Sequence, residues 1–374
     1  MKIKIREAEI LHVDIPFKKK FKHAMAARSV SNSVFLKIKL DDGTVGYGES
    51  LPREYVTGET TESVISVLKT IVPQKLLGYG IEDYREVPSF VDGLGVEKGA
   101  LKCVLELAML DAYGRYFKSS VSSVIGNRLR NEVRYSGVMQ SDTLPDAIRK
   151  SLAFRIYDFK FVKIKVGSGD DVKRLKMARR ILGNKMNIRV DANCAWDADE
   201  AIEKIGALRP FNISMVEQPV KADDYAGLKK VTESVPEMIS ADESLCSIDD
   251  AERLAMMGAC KMFNIRISKC GGIIDSLRIA DIAKRYNIGI QMGCQVGESG
   301  LLSAAGWHFA SLFKDVSFCE GAYGKFLLKN DITKEDMTIG RGGVLKDIRG
   351  PGLGVNVNEE ALDVYVVERE KFAR

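Results

Sequence analysis

The sequence predicts an α/β protein in which a closed β/α barrel is joined to a separate α+β domain. Polar or charged residues recur at intervals of 25 to 27 residues through the middle of the chain, each at or just past the end of a short apolar run. An interval of about 26 residues is one strand plus one helix, and equivalent ends of consecutive parallel strands in a closed barrel meet at one mouth. The recurring residues are Lys165, Asp191, Glu217, Asp242, Lys269 and Gln295.

The first part of the chain lacks this rhythm and predicts the second domain. Residues 1–50 alternate apolar and polar positions around the turn sequence DDGT, which indicates antiparallel strands. Residues 60–125 instead have apolar residues at helical spacing. Strands followed by helices, without strand–helix alternation, predict an α+β domain over residues 1–128.

The barrel is expected over residues 129–339. The segment VRYSGVMQ is the expected first strand, VSFCEGAYG is the expected eighth, and six helices, several with polar caps, are expected between them. Residues 340–374 are rich in glycine and end in an alternating run. We therefore expect this tail to return to the N-terminal domain rather than to add a barrel unit.

Composition narrows the function classes. The chain has 374 residues, of which 45% are hydrophobic and 29% charged, as expected for a globular enzyme with more than one domain. The only histidines are His12, His23 and His308, which disfavours zinc hydrolases and Ser-His-Asp hydrolases because both need convergent histidines. The net charge of +5 is small against 56 basic and 51 acidic residues, so we expect no nucleic-acid partner.

Cysteine usage and hydropathy bear on the compartment. The seven cysteines are scattered, contain no CxxC motif and predict reduced thiols. The start MKIKIREAEI lacks an apolar signal core, and no run of 18 apolar residues occurs. We expect a cytoplasmic protein without a membrane span, and a homo-oligomer is left open.

Three acids predict a metal site. Asp191, Glu217 and Asp242 end the expected strands three, four and five, which are adjacent, so their carboxylates can share one ion. A ligand set of oxygens without nitrogen or sulfur suits a hard cation. Mg²⁺ is the first choice and Mn²⁺ the second.

Lysines on two strands predict acid–base chemistry. Lys163 and Lys165 on strand two point the same way because they are two residues apart, and strand six lies diametrically opposite. Lys165 and Lys269 are therefore expected to face each other across the mouth. A neighbouring ammonium and a divalent cation would lower the pKa of a lysine towards the range a general base needs. The metal would stabilise the enediolate formed when the α-proton of a carboxylate substrate leaves.

Five segments resemble the signature of the enolase superfamily, in particular its muconate-lactonising-enzyme subgroup of muconate cycloisomerases and dipeptide epimerases. They are VKIKVG (162–167), VDAN (190–193), VEQP (216–219), ADES (241–244) and ISKCGG (267–272). The segments VGYGE (45–49) and GPGLGV (350–355) resemble elements of the family's capping domain.

The resemblance implies a modified TIM barrel, (β/α)₇β, under an α+β cap built from both termini. It implies Mg²⁺ on the three acids, acid/base roles for Lys165 and Lys269 with Lys163 beside them, and a supporting role for Asn193 at the metal. Further supporting candidates are Glu243, Gln295 and Glu298, which could polarise a substrate oxygen or complete the metal's surroundings.

Substrate specificity is expected from two cap loops, residues 17–28 and 52–60, whose closure would exclude water. Dipeptide epimerases usually carry an Asp-x-Asp pair at the end of strand eight, which holds the substrate's ammonium group. This chain has CEGAYG there instead, so the pair is missing and Glu320 is the candidate to take its place. The candidates for substrate contact are Phe21, His23, Arg28, Tyr55, Glu320 and Tyr323.

The leading expectation is a Mg²⁺-dependent isomerase of a small carboxylate, acting as a racemase or epimerase of an amino-acid derivative or dipeptide, because two lysines oppose each other. Cycloisomerisation of a muconate-like diacid and dehydration of the o-succinylbenzoate synthase type are the alternatives within the subgroup. A non-catalytic binding barrel would lose its metal ligands or lysines first, and all are present. A phosphate-binding barrel has only the weak glycine-rich segments 297–300 and 320–324 in its favour.

Overall fold

The N-terminal part of the chain forms an antiparallel sheet. A computed structural model describes residues 2–22, 27–141, 143–314 and 316–374. The sheet contains the strands Ile3–Val13, Ser33–Leu40 and Val45–Ser50, and the expected DDGT turn joins the last two through a hydrogen bond from Leu40 N to Thr44 O. The short strand Gly80–Ile81 pairs with the start of the first strand.

The C-terminal tail returns to this sheet as expected. The strand Val366–Ala373 pairs antiparallel with Ile3–Val13, so both chain termini build the cap. The tail also contains the strand Val344–Lys346 and the helix Glu359–Asp363. The expected domain boundaries at residues 128 and 339 stay a prediction.

The basic segment expected as a loop is largely a β-hairpin. The strands Pro16–Lys22 and Ala27–Val30 pair antiparallel, with Phe21 opposite Arg28. Residues 23–26, which include the substrate-contact candidate His23, lie outside the described residues.

The cap helices include one that is buried on all sides. The helix Gly99–Tyr116 has buried residues around its whole circumference because it lies between the cap sheet and the barrel. Gly48 of the VGYGE segment permits this packing, since a Cβ there would lie 2.1 Å from Val104 O of that helix. The other helical segments of the cap are Glu54–Thr57, Thr61–Ile71, Val72–Leu76, Tyr84–Glu86, Val87–Gly93 and Ser122–Ile125.

Eight parallel strands in sequence order form the barrel sheet. The first and eighth strands meet at a hydrogen bond of 2.8 Å from Ser136 N to Cys319 O. The barrel strands are Gly137–Met139, Phe161–Lys165, Asn187–Asp191, Ile213–Glu217, Met238–Ala241, Met262–Arg266, Gly289–Gly293 and Phe318–Cys319. This confirms the expected fold class, a modified TIM barrel with a cap.

The expected first strand differs in extent. Of the segment VRYSGVMQ, only Gly137–Met139 joins the barrel, whereas Glu132–Arg134 pairs antiparallel with the tail strand Val344–Lys346. A single apolar run is therefore divided between the barrel wall and a ribbon at its edge, because the tail supplies hydrogen-bond partners to its first half.

Seven helices follow the first seven strands among the described residues, as (β/α)₇β requires. The first of them was not expected from the sequence. Thr143, Asp170, Asp197, Asp224, Ser247 and Ser299 cap six of the helices through side-chain oxygens. The helices are Leu144–Ile156, Asp171–Leu182, Ala198–Leu208, Tyr225–Ser234, Ile248–Met257, Ile273–Arg285 and Gly300–Ser311.

Buried cap carboxylates bind barrel helices at their N-termini. Glu49 accepts hydrogen bonds of 3.1 Å from the backbone N–H groups of Ser299 and Leu302, at the start of the helix Gly300–Ser311. Glu106 accepts one of 2.6 Å from Ile273 N, at the start of the preceding helix. Each carboxylate satisfies amide groups that a helix start leaves without partners, which joins cap and barrel. Within the described parts of the chain, we find no helix with the length and apolar character that crossing a bilayer requires.

Candidate active site

The ends of the barrel strands bring the predicted polar residues together. Lys165, Asp191 and Glu217 are the last residues of strands two, three and four, and Asp191 is in register with both Lys165 and Glu217. Asp242 is the first residue after strand five. All three acids are fully buried and share cationic neighbours, since Lys163 contacts Asp191 and Glu217 while Arg266 contacts Asp242 and lies 4.0 Å from Glu217.

Lys163 is the central cation of this cluster. Its Nζ lies 2.9 Å from Glu217 Oε1, 3.2 Å from Asp191 Oδ2 and 2.5 Å from Glu320 Oε2. Burial lowers the pKa of Lys163, but Glu217, Glu320 and Asp191 outweigh that effect and hold the pKa well above its usual value. Lys163 is therefore a fixed ammonium that neutralises the carboxylates around it.

Lys165 lies on the solvent side of Lys163. Its Nζ donates hydrogen bonds of 2.6 Å to Asp191 Oδ2 and to Asn193 Oδ1, and 15% of its side chain is exposed. Both lysines reach Asp191 Oδ2, which confirms that they point the same way. Burial raises the pKa of Asp191, but Lys165 and Lys163 outweigh it and hold the pKa below its usual range.

Asn193 orients the exposed lysine from a strained turn. It has φ of 46° and Cys194 after it has φ of 64°, two consecutive left-handed conformations at residues other than glycine. The Asn193 amide donates to Glu243 Oε1 at 3.1 Å, and its backbone N–H donates to Asp191 Oδ1 at 3.0 Å. The turn thus binds Asp191, Lys165 and Glu243 at once.

Glu217 is held by neutral as well as charged donors. Asn264 Nδ2 donates to its Oε1 at 3.0 Å and Gln291 Nε2 donates to its Oε2 at 2.8 Å. Burial and the negative charge of Asp191 raise the pKa of Glu217. The carboxylate is thereby fixed in orientation at the centre of the barrel.

Strand six and the turn after it contribute two cations to the cluster. The amino group of Lys269 is fully buried and donates to Asp242 O at 2.6 Å, Asp242 Oδ1 at 2.9 Å and Asn264 O at 3.0 Å. Arg266, the last residue of the strand, has its guanidinium in contact with Asp242 Oδ2 and 4.0 Å from Glu217 Oε1. Arg266 and Lys269 therefore both pair with Asp242, although Lys269 lies three residues past the end of the strand.

Glu320 is an internal counterion in this structure. Besides Lys163, its carboxylate lies 3.1 Å from Arg189 Nη2, and the side chain is buried. Burial raises the pKa of Glu320, but Lys163 and Arg189 outweigh it and lower the pKa. The Glu320 carboxylate was a candidate to bind a substrate ammonium. In the structure it is paired with two cations of the protein, Lys163 and Arg189, and is buried inside the barrel.

The remaining supporting candidates flank strand seven and strand five. Gln295 Oε1 accepts a hydrogen bond of 3.1 Å from Arg266, and Glu298 Oε1 accepts one of 2.6 Å from Gln295 N. Burial raises the pKa of Glu298 to about 8, and burial together with Asp191 raises the pKa of Glu243 to about 7. Gln295 therefore links Arg266 to the loop after strand seven.

Cap residues cover the mouth through backbone contacts. Leu51 N donates to Ser268 Oγ at 2.8 Å, and the buried Arg53 donates from Nη2 to Val296 O at 2.8 Å. Cys246 Sγ lies 3.4 Å from Val56 O. Residues 51–56 thus contact the loops after strands five, six and seven.

The substrate-contact candidates of the cap meet near this segment. The guanidinium of Arg28 lies 5.7 Å from the centre of the Tyr55 ring, a cation–π contact, and Arg28 also donates to Asn32 Oδ1 at 3.0 Å. Phe21 faces Arg28 across the hairpin. Tyr323, at the other side of the barrel, donates to Ser136 O at 2.9 Å.

The donor chemistry of the acid cluster suits a hard cation, although cations of the protein share it. Among the described residues, no three acidic, histidine or cysteine side chains stand in the arrangement of a metal-binding group. Glu243 Oε2 is nevertheless a buried oxygen without a hydrogen-bond donor in the described chain, and Arg266 is the cation in contact with Asp242 Oδ2. Carboxylates on three adjacent strands fit the preference of Mg²⁺ for oxygen ligands. Binding of the ion by Asp242 requires that the ion pair between Asp242 and Arg266 be broken.

Several residues of the site were missed in the sequence. Arg189 donates to Ser136 Oγ at 2.6 Å and contacts Gln291, so an internal layer of polar groups supports the acids from below. Arg189 is two residues before Asp191, and Asn264 is two residues before Arg266. The alternation of a strand could have identified both as inward-facing once the strand ends were known.

A capped barrel with acids and lysines at the carboxyl ends of its strands is the architecture of one class of enzymes. Comparison of the sequence with known protein families finds the same class. Residues 5–126 match the N-terminal domain of mandelate racemase and muconate lactonizing enzyme, and residues 147–361 match the enolase C-terminal domain-like family. The chain belongs to the enolase superfamily, in the muconate-lactonising-enzyme subgroup, and is an isomerase.

Individual relatives differ in the reactions for which they are named. The L-Ala-D/L-Glu epimerase of Clostridium acetobutylicum is 31% identical over 94% of this chain and 98% of that protein. The structure of muconate lactonizing enzyme from Pseudomonas fluorescens with muconolactone has a TM-score of 0.88, at 28% identity over 97% of this chain and 99% of that one. The dipeptide epimerase of Enterococcus faecalis with Mg and L-Leu-L-Tyr has a TM-score of 0.86, at 28% identity over 94% and 99%.

Proposed function

We propose that the protein is a Mg²⁺-dependent isomerase of a small carboxylate substrate, with Lys165 as its acid/base and an enediolate as its intermediate. One observation carries the proposal. The amino group of Lys165 lies at the mouth of the barrel, 2.6 Å from Asp191 Oδ2, and the side chain is partly open to solvent. Carboxylates from three adjacent strands lie beside it. Two relatives support the proposal, since one solved structure contains muconolactone and another contains Mg and the dipeptide L-Leu-L-Tyr.

Asp191, Glu217 and Asp242 would hold the metal, with Mn²⁺ as an alternative to Mg²⁺. When bound, the metal supplies Lewis-acid stabilisation of negative charge on the substrate carboxylate. Asn264 and Gln291 keep Glu217 oriented through their hydrogen bonds. Lys163 stays charged among the acids and adds a fixed positive charge to the site.

Lys165 would move the proton. Asn193 and Asp191 hold its amino group at one side of the cup, where it is the more exposed of the two strand-two lysines. In the neutral form it accepts the proton at the carbon next to the carboxylate, while the electron pair of the broken C–H bond enters the carboxylate. In the charged form it returns a proton to that carbon.

The geometry favours a reaction that needs one lysine. Epimerisation by two opposed bases requires a second amino group on the far face of the substrate, and the amino group of Lys269 is enclosed by three protein oxygens. In a cycloisomerisation, a carboxylate adds to a double bond, a C–O bond forms and Lys165 protonates the resulting carbon. An unsaturated diacid is therefore one substrate class that we propose to test.

Epimerisation of a dipeptide or acylated amino acid is the second candidate. The similarity to the epimerase of Clostridium acetobutylicum over nearly the whole of both chains favours it. Dehydration also needs one lysine, and it would yield water and a new double bond rather than an isomer.

The test uses a small panel in D₂O. The purified protein with MgCl₂ is incubated with cis,cis-muconate, L-Ala-L-Glu and L-Ala-D-Glu, and products are read by mass and NMR spectroscopy. Turnover or deuterium uptake at a carbon next to a carboxylate is expected, and Lys165→Ala should lower it by about 10²–10⁴-fold.

Lys176→Ala is the matched control, because Lys176 is exposed on the helix after strand two. It should retain full activity. Equal activity of Lys165→Ala and the parent protein would refute the role of Lys165. Absence of any reaction or deuterium uptake across the panel would count against the proposed substrate class.

A further inference from the structure

We propose that Arg53 is a positioning residue for substrate specificity, because its guanidinium holds two segments of the cap and the loop after strand seven in one arrangement. This arrangement fixes Arg28 and Tyr55, two of the candidates for substrate contact. The inference rests on the proposed function for the substrate that is bound, whereas its geometric part does not depend on any substrate.

The buried guanidinium of Arg53 joins three separate segments of the chain. Its Nη2 donates to Ser31 O at 2.9 Å and to Val296 O at 2.8 Å, and its Nη1 donates to Pro52 O at 2.7 Å. Ser31 follows the second strand of the basic hairpin, and Val296 lies in the loop after strand seven. Among the described residues, every hydrogen bond of this side chain ends on a backbone carbonyl, so the junction depends on the course of the backbone.

Asn32 links this junction to Arg28. It follows Ser31 directly and has φ of 49°, a left-handed conformation that is uncommon for residues other than glycine. Its Oδ1 accepts a hydrogen bond of 3.0 Å from Arg28 Nη1, and its backbone N–H and Nδ2 both donate to Asp14 Oδ1 at 3.1 Å. The backbone that Arg53 binds therefore also fixes the side chain that holds the guanidinium of Arg28.

Arg53 also begins the helix that carries Tyr55. It is the N-cap residue of the helix Glu54–Thr57, and its carbonyl accepts a hydrogen bond of 2.8 Å from Val56 N. The ring of Tyr55 is the partner of Arg28 in the cation–π contact. One residue thus controls the position of both members of this pair.

The barrel approaches the cap closely at the same place. Gly297 follows Val296 and has φ of 105°, and a Cβ there would lie 2.9 Å from Phe17 Cζ and 3.1 Å from Ser31 Cα. A side chain at this position would strain the backbone and push apart the segments that Arg53 joins. The junction is therefore built from both sides, by a buried cation of the cap and by a glycine of the barrel.

Arginine suits this junction for a reason other than stability. A guanidinium has five N–H donors in one plane and can reach carbonyls on several sides, whereas an ammonium has three donors at one point. Burial, followed by the positive charge of Arg28, lowers the pKa of Arg53, so the charge is held there at a cost. An apolar side chain of similar volume would be less costly to bury, but it could not join three backbone segments.

The expected consequence concerns substrate binding rather than proton transfer. Without the guanidinium of Arg53, the segments that carry Arg28 and Tyr55 would move relative to the barrel, and a substrate would bind in several orientations. Lys165 is held by two hydrogen bonds within the barrel, so its proton transfer should be retained.

The first experiment measures amide hydrogen exchange by mass spectrometry in the parent protein and in Arg53→Met. Peptides covering residues 27–32 and 53–57 should exchange at least about tenfold faster in the variant, while the barrel strands keep the protection of the parent. Arg85→Met is the matched control, because Arg85 is an exposed arginine of the cap, and it should exchange like the parent. Unchanged exchange of both peptides in Arg53→Met would overturn the inference.

A second variant keeps the test decisive if Arg53→Met fails to fold. Gly297→Ala leaves the arginine in place and separates the same segments from the barrel side. It should accelerate exchange in the same two peptides. Exchange that rises equally in every part of the chain, in either variant, would show a general loss of stability and would also overturn the inference.

The last experiment separates substrate binding from chemistry. With MgCl₂ and whichever compound of the panel reacts, Arg53→Met should raise KM at least about tenfold and change kcat by less than about threefold. Mg²⁺ should raise the melting temperature of this variant as much as that of the parent, and Arg85→Met should match the parent in every measurement. A fall in kcat with an unchanged KM would overturn the inference. Faster exchange in the two expected peptides, together with no reaction of any compound with the parent protein, would support the role of Arg53 and count against the proposed function instead.

Discussion

The amino group of Lys269 donates a hydrogen bond of 2.9 Å to Asp242 Oδ1, and both side chains are fully buried. The same ammonium binds two backbone carbonyls, one of them that of Asp242 itself. This pair therefore fixes the loop after strand five to the turn after strand six. Its first effect should be on folding, since an unpaired buried charge is far more costly than a paired one.

Lys269→Met should lower the free energy of unfolding by about 3–5 kcal/mol, because it removes one of the two cations paired with the buried carboxylate of Asp242 and leaves two buried carbonyls without their donor. Urea unfolding followed by circular dichroism measures the change. Lys261→Met is the control, because Lys261 is exposed and precedes the same strand. A Lys269→Met protein as stable as the parent would contradict the structural role.

Asp242→Asn should abolish stabilisation by Mg²⁺. A ligand at 100 times its dissociation constant stabilises the native state by about 2.7 kcal/mol, which raises the melting temperature of the parent protein. The amide removes the negative charge that an oxygen-only metal site needs. Asp249→Asn, on the exposed side of the helix Ile248–Met257, should keep the full Mg²⁺ effect in differential scanning fluorimetry. An unchanged Mg²⁺ shift in Asp242→Asn would place the metal elsewhere.

Glu49 should make stability fall as pH rises through weakly acidic values. Burial raises the pKa of Glu49 from 4.5 to about 7, so between these values the folded state binds more protons than the unfolded state. Its contribution is complete below pH 4.5 and lost above about pH 7, which amounts to roughly 3 kcal/mol.

Urea unfolding between pH 4 and 8 should show this component in the parent protein and not in Glu49→Gln. Glu97→Gln, at an exposed position of the cap, should retain it. If Glu49→Gln shows the same pH dependence as the parent, the carboxyl group is not the source.

His308 should act in the opposite direction over a similar range. Burial lowers the pKa of His308 from 6.5 to about 4, so the unfolded state binds more protons between these values and stability falls as pH decreases. The ring lies 3.0 Å from Leu353 O, a carbonyl that can only accept, so Nε2 carries the proton of the neutral ring.

His308→Gln keeps a donor for Leu353 and removes the titration, so its stability should lose less on acidification than that of the parent, by roughly 3 kcal/mol at pH 4. Stability curves of both proteins from pH 8 to pH 4 make the comparison. Parallel curves would show that His308 does not titrate differently in the folded state.

The sequence predicted the barrel well because one strand and one helix together have nearly constant length. Lys165, Asp191, Glu217 and Asp242 all stand within one residue of a strand end, as their interval indicated. Lys269 instead lies three residues past the end of strand six, because an interval of 27 residues after Asp242 reaches into a turn. Turn length varies by a few residues, and a difference of three separates the inward-facing Arg266 from the enclosed Lys269.

By itself, the sequence determined the capped barrel, the acids at adjacent strand ends and the pair of lysines on strand two. These follow from local periodicity, which depends on neighbours along the chain. The tertiary structure alone decided that Arg266 and Lys269 both pair with Asp242 and that Glu320 is paired with Lys163 and Arg189. Those outcomes depend on hydrogen bonds between residues far apart in the chain, as between Lys269 and Asp242, and no spacing in the sequence specifies such partners.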